Sequence, residues 1–394
     1  MFAVSQVAHE MVVEPHWSGV VAAFGLFATL WWTWIGFAVL YNRRGDDRLA
    51  SHRPTVLIGS VPCAVAATQA HHAFEGHVAG FALALAGARL VLAVGYMLSA
   101  DAGGGDARID RRVGWGYLVA AALFALSISV PEPWHYVLWA VTLTQEGAFA
   151  LLTRHRAPMR PRLGERRRRG SRPSREELAR NLLNPPEQGS HAVDAGHLAE
   201  RFGLFMIILL GEIVISVGAA ALDHPDQDAG YWLSLVGGLI PAGALWWTYF
   251  NSAADINEAL LRISGGNPSL AYSLYAGGHL MPAFSLLVIA AGVNLSLHER
   301  PPGAALWLVC GGLTAYLAST RAFSGLPPRW YASLLLIVIL GATANLAQLD
   351  RVFIAPAVVL VAGGWAIGAA ALVSAFRRDV LKRLAANPLG FLTR

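Results

Sequence analysis

Charged and polar side chains set inside apolar runs are the first places to look for chemistry. Glu212 lies between Ile208-Leu209-Leu210 and Ile213-Val214-Ile215 and is the most deeply placed carboxylate. Arg89 stands midway along a second apolar run, Glu146 follows Gln145 in a third, and His279 and Asn294 share a fourth. Glu200 and Arg201 open the run that carries Glu212, Asn345 sits in a later one, and Gln6, His9 and Glu10 lie near the start. A charge at mid-bilayer costs roughly 2.5–3.5 kcal/mol on the insertion scale, so such groups turn inward and find partners. Two chemistries follow. In one, Glu212 binds a proton, a cation or a cationic substrate group. Arg89 and Arg201 are then its charge partners, and Glu200, Glu146 and His279 are polar groups of a pathway. In the other, an Arg89–Glu212 or Arg89–Glu146 pair only locks helices together.

Other constellations are weaker. His71-His72-x-x-Glu75-x-His77 offers imidazole and carboxylate groups, but interfacial histidines without a specific ligand set do not make a zinc site. No metal and no cofactor are expected. Asp223-His224-Pro225-Asp226-Gln227-Asp228 reads as a solvated acidic turn without calcium-loop spacing. The two cysteines, Cys63 and Cys310, each lie in an apolar stretch, which leaves no disulfide framework. With no phosphate-cradling glycine loop and no nucleophile elbow, the chain is not expected to be an enzyme.

Composition says what kind of element must position these groups. Of 394 residues, 55% are hydrophobic and only 14% charged, against roughly 25% charged in a soluble domain. A helix needs roughly 20 apolar residues to cross a bilayer. Eleven segments qualify: 17–41, 54–73, 78–98, 114–130, 133–152, 198–220, 231–251, 270–294, 303–320, 330–346 and 352–376. Residues 1–13 are apolar but too short to cross alone, and without a basic start they do not read as a cleaved signal peptide.

Counting 1–13 as the first helix sorts the basic residues. Connections on one side, with the tail from 377, hold 26 of the 30 Lys and Arg, whereas the opposite connections hold only Arg300 and Arg351. That asymmetry assigns the basic side to the cytoplasm, with both termini inside if the first helix is complete. The expected location is the bacterial inner (plasma) membrane. The loop from Arg154 to Arg180 carries 11 Arg, including Arg166-Arg167-Arg168-Arg169. Beside a membrane such a loop binds anionic lipid or enforces topology, and a nucleic-acid partner is not expected.

The two halves share a pattern. Trp17 to Trp34 and Trp232 to Tyr249 align without gaps at an offset of 215, with Leu30-Trp31-Trp32-Thr33 repeated as Leu245-Trp246-Trp247-Thr248. Three Trp identities in one register point to an internal repeat. An even number of spans separates the copies, so the repeats are parallel, as in transporters built around an axis along the membrane normal. A duplication kept only for packing is the alternative. The expected organisation is a first six-helix repeat over 1–153 with an incomplete first helix, an Arg-rich cytoplasmic linker over 154–197, a second six-helix repeat over 198–376 and a basic cytoplasmic tail over 377–394.

His197-Leu198-Ala199-Glu200-Arg201-Phe202-Gly203-Leu204-Phe205, continuing through Ile207-Ile208 to Leu210-Gly211-Glu212, resembles the signature of the bacterial low temperature requirement A protein family. The Trp-Trp-Thr segments and Gly278-His279-Leu280 also look like positions of that family, and the resemblance covers essentially the whole chain. Members typically carry an acidic-aromatic run before a segment like Phe2-Ala3-Val4-Ser5-Gln6. The resemblance, like the 215 offset, therefore implies a carboxylate upstream of Met1 that pairs with Glu212 by pseudo-symmetry. It implies His197, Phe202, Gly203 and Gly211 as motif positions, and it supplies no reaction.

The resulting expectation is an all-α polytopic integral membrane bundle in the lipid bilayer, with eleven full spans, a partial one and two parallel six-helix repeats. Its preferred function is secondary transport of an unidentified small molecule or ion, with the proton as candidate coupling ion. A membrane-integral sensor or stress-adaptation protein without transport is the alternative. The oligomeric state is not legible.

Overall fold

Inside lipid, backbone N–H and C=O groups find no water, so a chain of long apolar runs must satisfy them within helices. The computed structural model describes residues 2–44, 52–73, 75–101, 107–152, 174–184, 192–222, 229–323, 329–346 and 351–393. Among them there is no strand. The helices of the first part are α1 (Phe2–Val13), α2 (Trp17–Arg44), α3 (His52–Gln69), α4 (Val78–Asp101), α5 (Ala107–Leu126), α6 (Trp134–Leu152) and α7 (Arg175–Leu183). The second part has α8 (Ala195–Leu222), α9 (Ala229–Thr248), α10 (Ala254–Ile263), α11 (Pro268–Ala271), α12 (Leu280–Ser296), α13 (Gly303–Ser319), α14 (Arg329–Leu346), α15 (Arg351–Ala386) and α16 (Pro388–Thr393).

Among the described residues, seven helical segments are long and apolar enough to cross a membrane by length and composition, and three shorter apolar helices accompany them. Large apolar side chains such as Leu57, Ile58 and Val61 on α3 and Leu335, Leu336 and Ile339 on α14 are exposed. In water such faces would drive aggregation, and in a bilayer they meet acyl chains at no cost. The chain is a multi-pass membrane protein.

Several helix boundaries depart from expectation. Helix α15 does not end near residue 376 but runs through Arg377, Arg378, Lys382 and Arg383 to Ala386, because no helix breaker intervenes before Pro388. The expected span 270–294 is interrupted: α11 passes into a π turn, Tyr272–Gly277, before α12 begins after His279. A second π turn, Tyr249–Ala253, follows α9.

The chain divides into two compact units. One comprises Met1–Trp31, Ala199–Asn257 and Gly277–Lys382, and the other Trp32–Leu198, Glu258–Ala276 and Arg383–Arg394. In the first unit α12 is buried along nearly its whole length, as an all-round apolar helix should be. It packs against α1 and α13. A Cβ on Gly292 would come within 2.6 Å of the Val309 backbone nitrogen, so glycine there sets how closely α12 and α13 approach.

In the second unit α4 packs on α3 and α5, around Leu40, Leu92 and Tyr96 with the Tyr96–Tyr117 rings stacked 5.7 Å apart. Short α7 starts with a capping box in which Ser174 and Glu177 exchange side-chain and backbone hydrogen bonds. Its far end is tied down by the Asn267 amide, which donates to the Asn184 carbonyl at 2.9 Å. Gly266 lies at φ +76°, and a Cβ there would meet the Val193 carbonyl at 2.5 Å, so this turn requires glycine.

Candidate functional site

Two buried polar centres emerge, one in each unit. In the unit that contains Trp32–Leu198, α4 carries Arg89 fully inside and α6 carries Glu146, also buried. The Arg89 guanidinium donates from Nε to Glu146 Oε1 at 3.0 Å and from a terminal nitrogen to Oε2 at 3.2 Å. Two parallel hydrogen bonds make this the fork geometry that gives a charge pair its directionality. The same guanidinium donates to the Thr33 hydroxyl on α2 and lies over the Phe124 ring, 4.8 Å from its centroid. Three further elements, α2, α5 and α6, are thereby fastened to one arginine.

The other centre is built on α8. Glu212 is 3% exposed, and its Oε2 accepts a hydrogen bond from the Ser5 hydroxyl of α1 at 2.6 Å. Ser216, one turn along α8, is its second hydroxyl neighbour. Among the described residues the side-chain hydrogen bonds to Glu212 come from hydroxyls. Ser216 is tied in turn to α12, because the Asn294 amide donates to its carbonyl at 3.0 Å.

A third polar contact lies in the same unit as Glu212. His279, 2% exposed at the start of α12, shares a 2.9 Å hydrogen bond between its Nε2 and the Tyr249 hydroxyl. Tyr249 opens one π turn and His279 follows the other. Such bulges re-aim side chains and are frequent at functional sites. The imidazole packs 5.0 Å from the Phe202 ring, which also makes an edge-on contact with Trp31.

The remaining expected residues are spread along α8. His197 and Glu200 are exposed in its opening turns and Arg201 is half-buried. Arg201 precedes Glu212 by about 16 Å of helix at 1.5 Å per residue. Phe202 is buried, Gly203 faces the Phe250 ring, and Gly211 adjoins Glu212. Of the pairings left open by sequence, Arg89–Glu146 is formed. Its position in the unit without Glu212 divides the expected residues into two sets.

Ser5, Thr33, Ser216 and Tyr249 complete these centres without having been singled out. Thr33 and Tyr249 stand in the two copies of the Trp-Trp-Thr repeat and Ser5 in the segment after Met1. Nothing in sequence marks the Ser216 contact. The weaker His/Glu cluster is a small clamp. His71 Nε2 lies 3.4 Å and His72 Nδ1 3.1 Å from separate oxygens of Glu75. The hydrogen bond from His72 and then the His71 charge hold the Glu75 carboxyl below its ordinary value. Most of the expected lipid-binding loop and the acidic turn 223–228 lie outside the described residues.

Against known proteins, the model of the family described as "Bacterial low temperature requirement A protein (LtrA)" matches residues 1–373. The chain is also similar to "Uncharacterized protein RA0937" of Rhizobium meliloti (strain 1021), with 28% identity over 131 residues. That match spans 32% of each chain, so about a third of the relative's length is covered. No solved structure matches.

Proposed function

The chain belongs to the bacterial low temperature requirement A protein family, and from that premise we propose that it is a secondary transporter whose ion- or proton-binding group is Glu212. One observation carries the reading: a carboxylate buried within a membrane-length helix takes hydrogen bonds from hydroxyls. A serine hydroxyl both donates and accepts, so it can stay bonded to the carboxylate and to the neutral acid. That property suits a group that must gain and lose a proton. His279 with Tyr249 is a second polar station in the same unit. Arg89 with Glu146 is the packing clamp of the other.

The reading keeps the arrangement inferred from charge and repeat, with parallel six-helix halves, cytoplasmic termini and an Arg154–Arg180 loop that meets anionic lipid. A reporter fused after Arg394 is expected inside, and a tag near Asp226 outside. Function is tested by untargeted metabolite uptake in knockout cells complemented with wild type or Glu212→Gln. Uptake restored by the wild type alone supports the proposal. Equal uptake with the variant removes Glu212 from it. A protein that restores growth with no solute differing between knockout and complemented cells favours the sensor reading.

A further inference from the structure

Above Glu212, along the ends of three helices, lies a cleft of about 450 Å³. Its walls come from α1 (His9, Val12), from α8 (Ala219, Ala220) and from the end of α12 and its following turn (Asn294, Leu297, His298, Glu299). Each wall continues a face already seen at the Glu212 centre. On α1, Ser5, His9 and Val12 are spaced i, i+4 and i+7, which puts them on one side of a helix. On α8 the same rule aligns Glu212, Ser216, Ala219 and Ala220. Asn294 lies in the last turn of α12, and His298 lies in the bend that follows the helix.

The cleft is thus where the Glu212-bearing faces of these helices open. About 10 Å of helix separates Glu212 from Ala219 at 1.5 Å per residue. That interval is crossed by Ser216, whose carbonyl accepts from Asn294. His9, His298 and Glu299 are exposed around the cleft. The charge distribution places this end outside the cell, since the 297–302 connection belongs to the sparsely basic set.

We propose that this cleft is the extracytoplasmic proton port of Glu212. His9, His298 and Glu299 collect protons from the external solution; the Ser216 hydroxyl beside Glu212 takes one up as it releases its own to the carboxylate, and the Asn294 amide, bonded to the Ser216 carbonyl, holds α12 against that route. The proposal rests on the transport reading of Glu212 and adds the side from which that group is loaded. Among the described residues, the titratable and charged groups near His9 include Glu10 and Glu14 from its own segment, His16 beyond it, and His298 and Glu299 across the cleft, with Arg300 next to Glu299. A neutral imidazole accepts a proton at one ring nitrogen and donates from the other, which suits it to a relay at the mouth.

The test uses dicyclohexylcarbodiimide, which modifies carboxyl groups in their protonated form, with the Glu212 peptide quantified by mass spectrometry. Right-side-out and inverted membrane vesicles carry the full-length protein with inner and outer pH set independently. Modification of Glu212 is expected to follow extracytoplasmic pH, falling by up to about tenfold per unit of alkalinisation, and to ignore cytoplasmic-side pH. In a Cys63→Ser, Cys310→Ala background, Ala219→Cys and Val12→Cys each provide a plug. Reaction of either with a membrane-impermeant methanethiosulfonate from outside should abolish that dependence. Modification that follows cytoplasmic-side pH, or continues unchanged after the plug is attached, overturns the port and leaves the transport reading standing. Glu212 that is never modified at any pH overturns both.

Discussion

Glu146 and Glu212 are both buried carboxylates on apolar helices, yet their surroundings differ in kind. Glu146 is held by both arms of a guanidinium that is also fixed to Thr33 and Phe124. Glu212 is held by Ser5 and Ser216. A charge pair neutralises itself only while both members stay charged and in place, so its geometry admits one state. Hydroxyl partners carry no charge, and their protons rotate. The difference teaches that two buried carboxylates in membrane helices can be set apart by the identity of their donors.

That contrast can be broken at its stiff end first. Glu146→Gln leaves Arg89 without its counter-charge in a dry interior, a loss of about 3–5 kcal/mol. Folded yield and melting temperature in detergent should fall sharply. The double replacement Arg89→Met with Glu146→Leu should recover most of that stability, because it removes both charges together. A double-mutant cycle with no coupling between the two positions would show that the fork contributes little.

At Glu212 the expected pattern is reversed. Glu212→Gln preserves shape and can still accept from Ser5, so the melting temperature should drop by far less than in Glu146→Gln. The loss should lie within the 1.5–3 kcal/mol range of a hydrogen bond to a charged group. Rescue of a knockout should nevertheless fail. A variant that melts as low as Glu146→Gln would make Glu212 a second packing group and erase the contrast.

Smaller effects sharpen it further. Tyr249→Phe removes the hydroxyl from buried His279 and should cost about 1 kcal/mol, read by thermal melting, with growth rescue reporting whether the pair belongs to the pathway. The smallest effect is at Glu75, whose carboxyl is held low by His72 and His71. A lowered folded-state value means the contribution is present above the ordinary 4.5 and is lost as pH falls through the lower value. Glu75→Gln should therefore leave the melting temperature almost unchanged near neutrality and remove only a slight acid-dependent step below pH 4.5.

The Trp-Trp-Thr segments show how far sequence could be followed. Their identity at one offset was plain, but their environments are not alike. Trp31 is buried whereas Trp246 is 44% exposed. Thr33 accepts from Arg89, whereas the Thr248 hydroxyl turns back to the Ala244 carbonyl at 2.9 Å. Equal side chains were reused for different contacts, because partners on other helices set what each position touches.

What sequence determined by itself was the medium and the elements. Apolar runs of sufficient length, few charges and lopsided basic connections leave helices in a bilayer as the way to satisfy the backbone. The all-helical fold of the described residues and the family match both follow from local pattern. Which charges meet was decided only in three dimensions. Arg89 could have taken either glutamate by spacing, and residues 57 apart in the chain were joined by the packing of α4 against neighbouring helices. The breaks around Tyr249 and His279 and the meeting of Ser5 with Glu212, 207 residues away, are likewise products of packing. Periodicity places a side chain on one face of its own helix, and only the neighbouring helices determine what that face meets.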